Sequence, residues 1–200
     1  MKSDDGRRLL VNVEADLSRF GRRISAASDE QLMELRRRAR AAIDRLDDEP
    51  ELERAHQALD RAGKLVRENR PRLCLFTPDG DDFQQTCPVA LGHIRLGMSI
   101  GAEIEESECS ICGRDSWDCA HVPGRVYGEE VATRIITKAK ILHVAVVQRP
   151  DFPDARFMSE PVSRDRVESV LGMPLAAGEE PVCDRCLSPC PGLRDALLPE

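Results

Sequence analysis

The strongest chemical signal in the sequence is a short segment that combines three cysteines with a histidine. In the spacing C-x2-C-x6-C-x-H, the ligand-type residues are Cys109, Cys112, Cys119 and His121. Two cysteines three positions apart can bend around one ion, and Gly113 permits the tight turn that follows them. Three thiolates and one imidazole suit the tetrahedral geometry of Zn²⁺ and leave no position for a water molecule. The spacing therefore predicts a closed, structural zinc site.

A second cysteine cluster lies near the end of the sequence, with the spacing C-x2-C-x3-C-P. Its thiols belong to Cys183, Cys186 and Cys190. We expect Cys87 to be the fourth ligand because it lies in a loop free to approach the tail. Cys74 is the second choice, and His93 and His143 are also available. We expect a second zinc ion here, which would tie the C-terminal segment to the middle of the chain. An iron–sulfur cluster is the alternative, although the upstream C-x2 step of ferredoxin-type runs is missing.

Composition limits the classes of function. The 200 residues include 29 Lys+Arg and 36 Asp+Glu, for a net charge of −7, which argues against tight non-specific binding of nucleic acid. Aromatic residues make up only 4%, too few for a platform that stacks single-stranded bases. No segment approaches 18 consecutive apolar residues, and the N-terminus lacks the apolar core of a signal peptide. We expect a cytoplasmic protein without membrane association, in which clustered cysteines bind metal rather than form disulfides.

The N-terminal third has the periodicity of helices. Residues 1–24 carry a weak amphipathic run, which we interpret as a short helix or an arm. Ser28 precedes Gln31 by three residues, as in a capping box, and starts a clear helix. Two apolar seams at heptad-like spacing then follow: Leu32, Leu35, Ala39, Ala42, Ile43 and Leu46 in the first, and Leu52, Ala55, Leu59, Ala62 and Val66 in the second. A short acidic turn separates them, so residues 28–68 are predicted to form an antiparallel helical hairpin, with His56 on its surface.

A basic run lies on the first of these helices. It consists of Arg36, Arg37, Arg38 and Arg40. A stripe of this kind can bind nucleic acid. We favour a solvated face instead, because Glu34 and Asp44 each lie four residues from an arginine and can pair with it.

The rest of the chain favours strands. A short strand is predicted over 72–76 and a turn over 77–82. Apolar residues alternate strictly from Ile94 to Ile104, which predicts a half-buried strand. Two more strands are expected near 134–137 and 141–148, the second buried because Val144 begins a continuous apolar run. Ser163 is expected to cap a short helix. The fold class is therefore α+β, with a helical arm at 1–70, a β-rich zinc-binding core at 71–175 and a cysteine-rich tail at 176–200.

Three ordered motifs in the middle of the chain resemble the prohead (capsid maturation) proteases of tailed phages. The segment 96–101, L-G-M-S-I-G, resembles the L-S-x-G strand of that family. The segment 143–150, with Pro153 and Ala155, resembles a later strand. Between them, C-S-I-C-G at 109–113, with His121, Gly124 and Tyr127, resembles an insertion found in some phage-like sequences. The resemblance covers about residues 88–157.

That resemblance implies a serine nucleophile at Ser99, with His143 at a position of the catalytic triad. A nucleophilic serine needs a base within hydrogen-bonding reach. The family's acidic residue is replaced here, its upstream histidine has no convincing match, and the enclosing barrel looks truncated. The resemblance therefore suggests a degenerate relative, and we favour a chain that is not an enzyme.

Three functions are consistent with these observations. The first is a non-catalytic, zinc-stabilised interaction module of phage-related origin, cytoplasmic or virion-associated, that binds a protein partner in a larger assembly through the hairpin at 28–68. The second is a serine protease that uses Ser99 and His143. The third is a zinc-knuckle protein that binds nucleic acid through the basic run.

Overall fold

The computed structural model describes residues 2–48, 50–150 and 152–183, so Cys186 and Cys190 lie outside the described residues. Its fold is α+β, as the sequence predicts. The helices are α1 (Lys2–Arg22), α2 (Asp29–Arg45), α3 (Glu51–Asn69), α4 (Pro88–Ile94) and α5 (Arg164–Leu171). The strands are β1 (Thr77–Asp79), β2 (Asp82–Gln85), β3 (Gly97–Cys109), β4 (Val126–Tyr127), β5 (Glu130–Val131), β6 (Arg134–Val147) and β7 (Glu160–Val162). None of the helices in these ranges is long and apolar enough to cross a membrane.

The described chain forms two compact units. One lies within residues 1–97 and 147–183, and the other comprises residues 98–146. The division differs from the three consecutive segments expected from the sequence. The physical reason is that β2 pairs with β7, so a strand before residues 98–146 is hydrogen-bonded to a strand after them.

The helical hairpin predicted for residues 28–68 is confirmed as α2 and α3. Ser28 caps α2: its Oγ accepts from the N–H of Gln31 at 3.2 Å, and the Gln31 side chain accepts from the N–H of Ser28 at 2.9 Å. All the residues of both predicted apolar seams are buried. The N-terminal segment forms the full-length helix α1, whose buried stripe of Leu10, Val13, Leu17 and Phe20 packs on α2 and α3. The seams are thus covered within the chain itself.

The small sheet has the order β1-β2-β7 and is antiparallel. The turn expected over 77–82 is the tip of a hairpin, with Gly80 at φ +63 between β1 and β2. The strand expected over 72–76 is wrong: Pro71–Cys74 is a 3-10 turn, and only Leu75 forms a β-bridge, with Val182. Pro71 cannot donate to a ladder, which favours the turn. The helix expected after Ser163 is confirmed as α5, capped by that residue.

The unit at residues 98–146 is built on one long two-stranded ribbon of β3 and β6. The two strands expected near 134–137 and 141–148 are a single strand. The burial expected for both strands is wrong, because Ile100 is 60% exposed and Val144 is 58% exposed. Alternation and apolar runs predict which residues share a face, but in this ribbon no second layer of the described chain covers that face.

Buried arginines tie the helical bundle to the segment that follows β6. Asp44 lies between two of them, with Oδ2 at 3.3 Å from Arg40 Nε and Oδ1 at 3.4 Å from Arg156 Nε. Arg156 also donates to the carbonyl oxygens of Arg95 and Gln148. Burial raises the pKa of Asp44, and the two guanidinium groups oppose that rise. The cluster therefore depends on one carboxylate shared between two buried cations.

Replacing Asp44 should strongly reduce the stability of the fold. We expect Asp44→Ala to lower the free energy of unfolding by about 3–5 kcal/mol, because it leaves buried guanidinium charges uncompensated. Urea unfolding measures the change. The matched control is Glu68→Ala, which breaks an exposed pair with Lys64 and should cost at most about 1 kcal/mol. Equal losses for the two variants would contradict the role given to Asp44.

Candidate metal centre

The four ligands predicted from the C-x2-C-x6-C-x-H spacing converge in the structure. Cys109 ends β3, and the loop that follows brings the other three back to it. The Cys119 Sγ lies 3.4 Å from His121 Nδ1, and the Cys109 Sγ lies 3.7 Å from the same nitrogen. The Cys112 and Cys119 sulfurs are 3.7 Å apart. All four ligand atoms lie within 4.8 Å of one another, so this group could hold a metal ion.

These separations fit a zinc ion. With Zn–S bonds of about 2.3 Å and Zn–N bonds of about 2.0 Å, tetrahedral ligands stand about 3.8 Å apart for two sulfurs and about 3.5 Å for sulfur and nitrogen. The observed separations of 3.7 Å and 3.4–3.7 Å agree. All four coordination positions are then filled by the protein, which leaves no place for a substrate or an activated water. A donor set of this kind is typical of structural zinc sites.

Backbone N–H groups of the loop point at the sulfurs. Gly113, at φ +68, closes the turn by donating to the Cys109 carbonyl at 2.9 Å. Burial alone would raise the pKa of Cys109, but the N–H groups of Ile111 and Cys112, together with hydrogen bonds from the Cys119 and Cys112 thiols, lower it to about 6. Burial raises the pKa of Cys119, with the neighbouring thiols adding to the rise, although the His121 N–H aimed at its sulfur acts against it.

Tyr127 holds the histidine ligand in place. Its ring meets the His121 ring edge-on, with centroids 4.6 Å apart, and its hydroxyl oxygen accepts from the N–H of Val122 at 2.9 Å. Tyr127 belongs to the small hairpin of β4 and β5. In the sequence, Tyr127 belongs to the motifs that carry the family resemblance, and only the structure shows that it lies beside the His121 ring.

Of the second cysteine cluster, the structure describes Cys183 and both candidates for its fourth ligand. The thiols of Cys74, Cys87 and Cys183 are all buried. Cys183 donates its N–H to the Cys74 carbonyl at 2.7 Å. The amide of Gln85 donates to the Cys183 sulfur at 3.0 Å and accepts from the N–H of Cys87 at 3.0 Å. Three separate segments of the chain therefore bring their cysteines to one region.

The basic run on α2 is divided between core and surface. Arg36 is only 1% exposed; it donates to the Cys74 sulfur at 3.2 Å and to the Leu73 carbonyl at 2.7 Å. Arg40 is buried beside Asp44. Arg37 and Arg38 remain outside and pair with Glu34. Since Arg36 and Arg40, one helical turn apart, are buried, the four arginines do not form one continuous stripe for phosphates.

Ser99 and His143 lie on neighbouring strands of the ribbon. A Cβ added to Gly101 would lie 2.2 Å from the His143 ring, so this ring covers Gly101, two residues along from Ser99. His143 is exposed. In the described part of the chain, no hydrogen bond joins the Ser99 hydroxyl to His143, and no carboxylate pairs with that ring. The geometry contains none of the contacts by which a base activates a serine.

The surface position expected for His56 is wrong. Its side chain is buried beside the ring of His93, and Asp60 lies next to both rings. This cluster was not predicted from the sequence. The available signal was the i, i+4 spacing of His56 and Asp60, which places both on one helix face. His93 could not be assigned to this cluster from the sequence, because only the packing of α4 on α3 brings it next to His56 and Asp60.

No family model matches this chain, and comparison with curated proteins and with solved structures finds no match either.

Loss of one ligand should release the ion from the Cys109–His121 loop. We expect His121→Gln to lose one zinc per chain after dialysis and to lose the thiolate-to-cobalt charge-transfer absorption of this site after Co²⁺ substitution. The matched control is His143→Gln, which changes an exposed histidine of the same unit outside the ligand group. An unchanged metal content in His121→Gln would contradict the assignment.

Proposed function

We propose that this chain is a non-catalytic, zinc-stabilised protein-interaction module, and that the ribbon of β3 and β6 is its docking surface. The observation that carries the proposal is a ribbon whose apolar side chains are exposed and which adjoins a four-ligand group at one end, where β3 ends at Cys109. The resemblance to prohead proteases favours a setting in a larger assembly of phage-related origin.

The metal would stabilise a unit that has almost no apolar core. Within residues 98–146, the only buried hydrophobic residues are Cys109 and Ala132. A two-stranded ribbon alone is at best marginally stable in water. Four coordination bonds to one ion can replace the missing core, because the free energy of metal binding becomes free energy of folding. The proposed role of zinc is therefore to keep the ribbon in register for binding.

One face of the ribbon is suited to binding protein. Because the His143 ring covers Gly101, odd-numbered residues of both strands share one face and even-numbered residues share the other. The second face, which we term the apolar ribbon face, consists of Met98, Ile100, Ile104, Leu142, Val144 and Val146. All six are exposed. Contiguous exposed apolar surface of this kind marks interaction sites.

The occupant we propose for the apolar ribbon face is a second copy of this chain. The central positions of this face carry no charge, and towards its other end the same face carries both signs, as Glu106, Lys138 and Lys140. It therefore has no single sign that would select an oppositely charged partner. Two copies related by a twofold axis would bury identical apolar faces against each other, as two-layer sheets do. The predicted hairpin, by contrast, has its apolar seams covered by α1.

We also propose that a second zinc ion is held by Cys183 and the tail cysteines Cys186 and Cys190, with Cys87 as the fourth ligand and Cys74 as the second choice for that position. Support comes from the buried guanidinium of Arg36, which faces the Cys74 sulfur at 3.2 Å and the Cys87 sulfur at 4.0 Å. A zinc ion with four thiolates carries a net negative charge, and a buried cation beside it offsets that charge.

The docking proposal is tested by the oligomeric state of the full chain. We expect light scattering to show concentration-dependent dimers for the wild type, and Val144→Glu to shift the equilibrium to monomer by burying a charge at the interface. The matched control is Ile141→Glu on the opposite face, where the wild-type side chain is 63% exposed; it should dimerise like the wild type. A wild type that is monomeric throughout, or equal behaviour of both variants, would overturn the proposal.

The second zinc ion is tested by composition. We expect Cys183→Ser to lose one zinc per chain while keeping the Cys109–His121 site, and the double variant with His121→Gln to lose both. Elemental analysis of each purified chain gives the count. Iron and labile sulfide in the wild type, with a brown colour, would instead identify an iron–sulfur cluster.

A further inference from the structure

We infer that His56, Asp60 and His93 form a second kind of metal centre, which binds a divalent transition ion through two imidazoles and a carboxylate. This inference goes beyond the proposed function, since it concerns the helical unit and not the ribbon. Among the described residues, these three side chains are the other group whose ligand atoms all lie within 4.8 Å of one another.

The packing of α3 against α4 creates this cluster. His56 and Asp60 are one turn apart on α3, and α4 contributes His93. The two helices approach closely because Gly92 precedes the histidine: a Cβ there would lie 2.7 Å from the Leu59 Cδ2. A larger residue at position 92 would force the buried Leu59 side chain to move.

The distances fit a shared ion. The Nε2 atoms of the two histidines are 3.2 Å apart. Asp60 Oδ1 lies 2.9 Å from His93 Nε2, and Asp60 Oδ2 lies 3.5 Å from His56 Nε2. Nitrogen and oxygen ligands bound at about 2.0–2.1 Å in a tetrahedral arrangement stand about 3.3 Å apart. All three observed separations lie close to that value.

The outer ring nitrogen of His93 is hydrogen-bonded in the way that is typical of metal-binding histidines. His93 Nδ1 lies 2.6 Å from the Val89 carbonyl oxygen, to which it can only donate. When Nδ1 of the neutral His93 ring carries the proton, Nε2 carries a lone pair, and this lone pair faces Asp60. His56 Nδ1 lies 3.6 Å from the Glu53 carboxylate, which is an ion-pair distance and too long for a hydrogen bond. Hydrogen bonds such as the one between His93 Nδ1 and the Val89 carbonyl orient metal-ligating histidines. A cation converts the three converging lone pairs into coordination bonds.

The donor set also indicates which ions fit. Two imidazoles with one carboxylate suit Zn²⁺, Co²⁺ or Fe²⁺ rather than Mg²⁺ or Ca²⁺, which prefer oxygen ligands. Both histidines are buried, whereas the Asp60 side chain is 36% exposed. Solvent can therefore reach the site from the aspartate side. Three protein ligands leave one position open for an exchangeable molecule, unlike the closed site of the Cys109–His121 loop.

Cobalt distinguishes the two kinds of site. The full chain with its zinc retained is titrated with Co²⁺, so that the thiolate sites stay filled. We expect a visible ligand-field absorption without thiolate charge transfer, saturating at one Co²⁺ per chain. Asp60→Asn should weaken this binding at least about tenfold. The matched control is Glu53→Gln, two turns before Asp60 on the same helix, where the loss should be smaller than for Asp60→Asn because Glu53 is not a ligand.

A measurement on the wild type makes the test independent of the folding of any variant. Bound Co²⁺ should shift two exchangeable imidazole N–H resonances, and the one from His93, which donates to the Val89 carbonyl, should exchange slowly. Equal Co²⁺ affinity in Asp60→Asn and the wild type, or the absence of shifted imidazole resonances, would overturn the inference and leave a hydrogen-bonded buried cluster.

Discussion

The unit at residues 98–146 is constrained by how little apolar surface it buries. Its two long strands carry many apolar side chains, but these point outward, and only Cys109 and Ala132 are buried hydrophobic residues there. A chain segment in this situation needs a cross-link to offset the conformational entropy lost on ordering. The converging thiols and imidazole at the end of the ribbon could hold a metal ion that acts as this cross-link. Tyr127, on the small hairpin, packs against the His121 imidazole.

The helical unit is stabilised by a different balance of forces. Three helices bury continuous apolar seams, so hydrophobic burial dominates there. Buried charges then connect this bundle to remote segments: Arg36 reaches the cysteines at 74 and 87, while Arg40 and Arg156 share Asp44. Such pairs add little net stability compared with apolar contacts of the same size, but each is costly to break, which favours one arrangement of the chain.

The two groups of side chains that could hold a metal ion differ in chemistry as well as place. Three thiolates with one imidazole would form a closed set, which suits a structural role. Two imidazoles with one half-exposed carboxylate form an open set, with room for an exchangeable ligand. Their separation in the chain, one group in each compact unit, allows each to be studied through its own spectroscopic signature.

Local patterns in the sequence determined the elements whose causes are local. Ser28 and Gln31 predict the capping box, the heptad spacing from Leu32 to Val66 predicts the buried hairpin seams, and the C-x2-C-x6-C-x-H spacing predicts a ligand group that closes within thirteen residues. Tertiary structure alone decided whether a patterned face is covered: the alternation around Ile100 looks the same in a half-buried sheet and in an exposed ribbon. The tertiary structure also decided that Arg36 and His56 are buried and that His93 contacts Asp60. Such contacts depend on how separate elements pack against each other, which the spacing of residues along the chain does not encode.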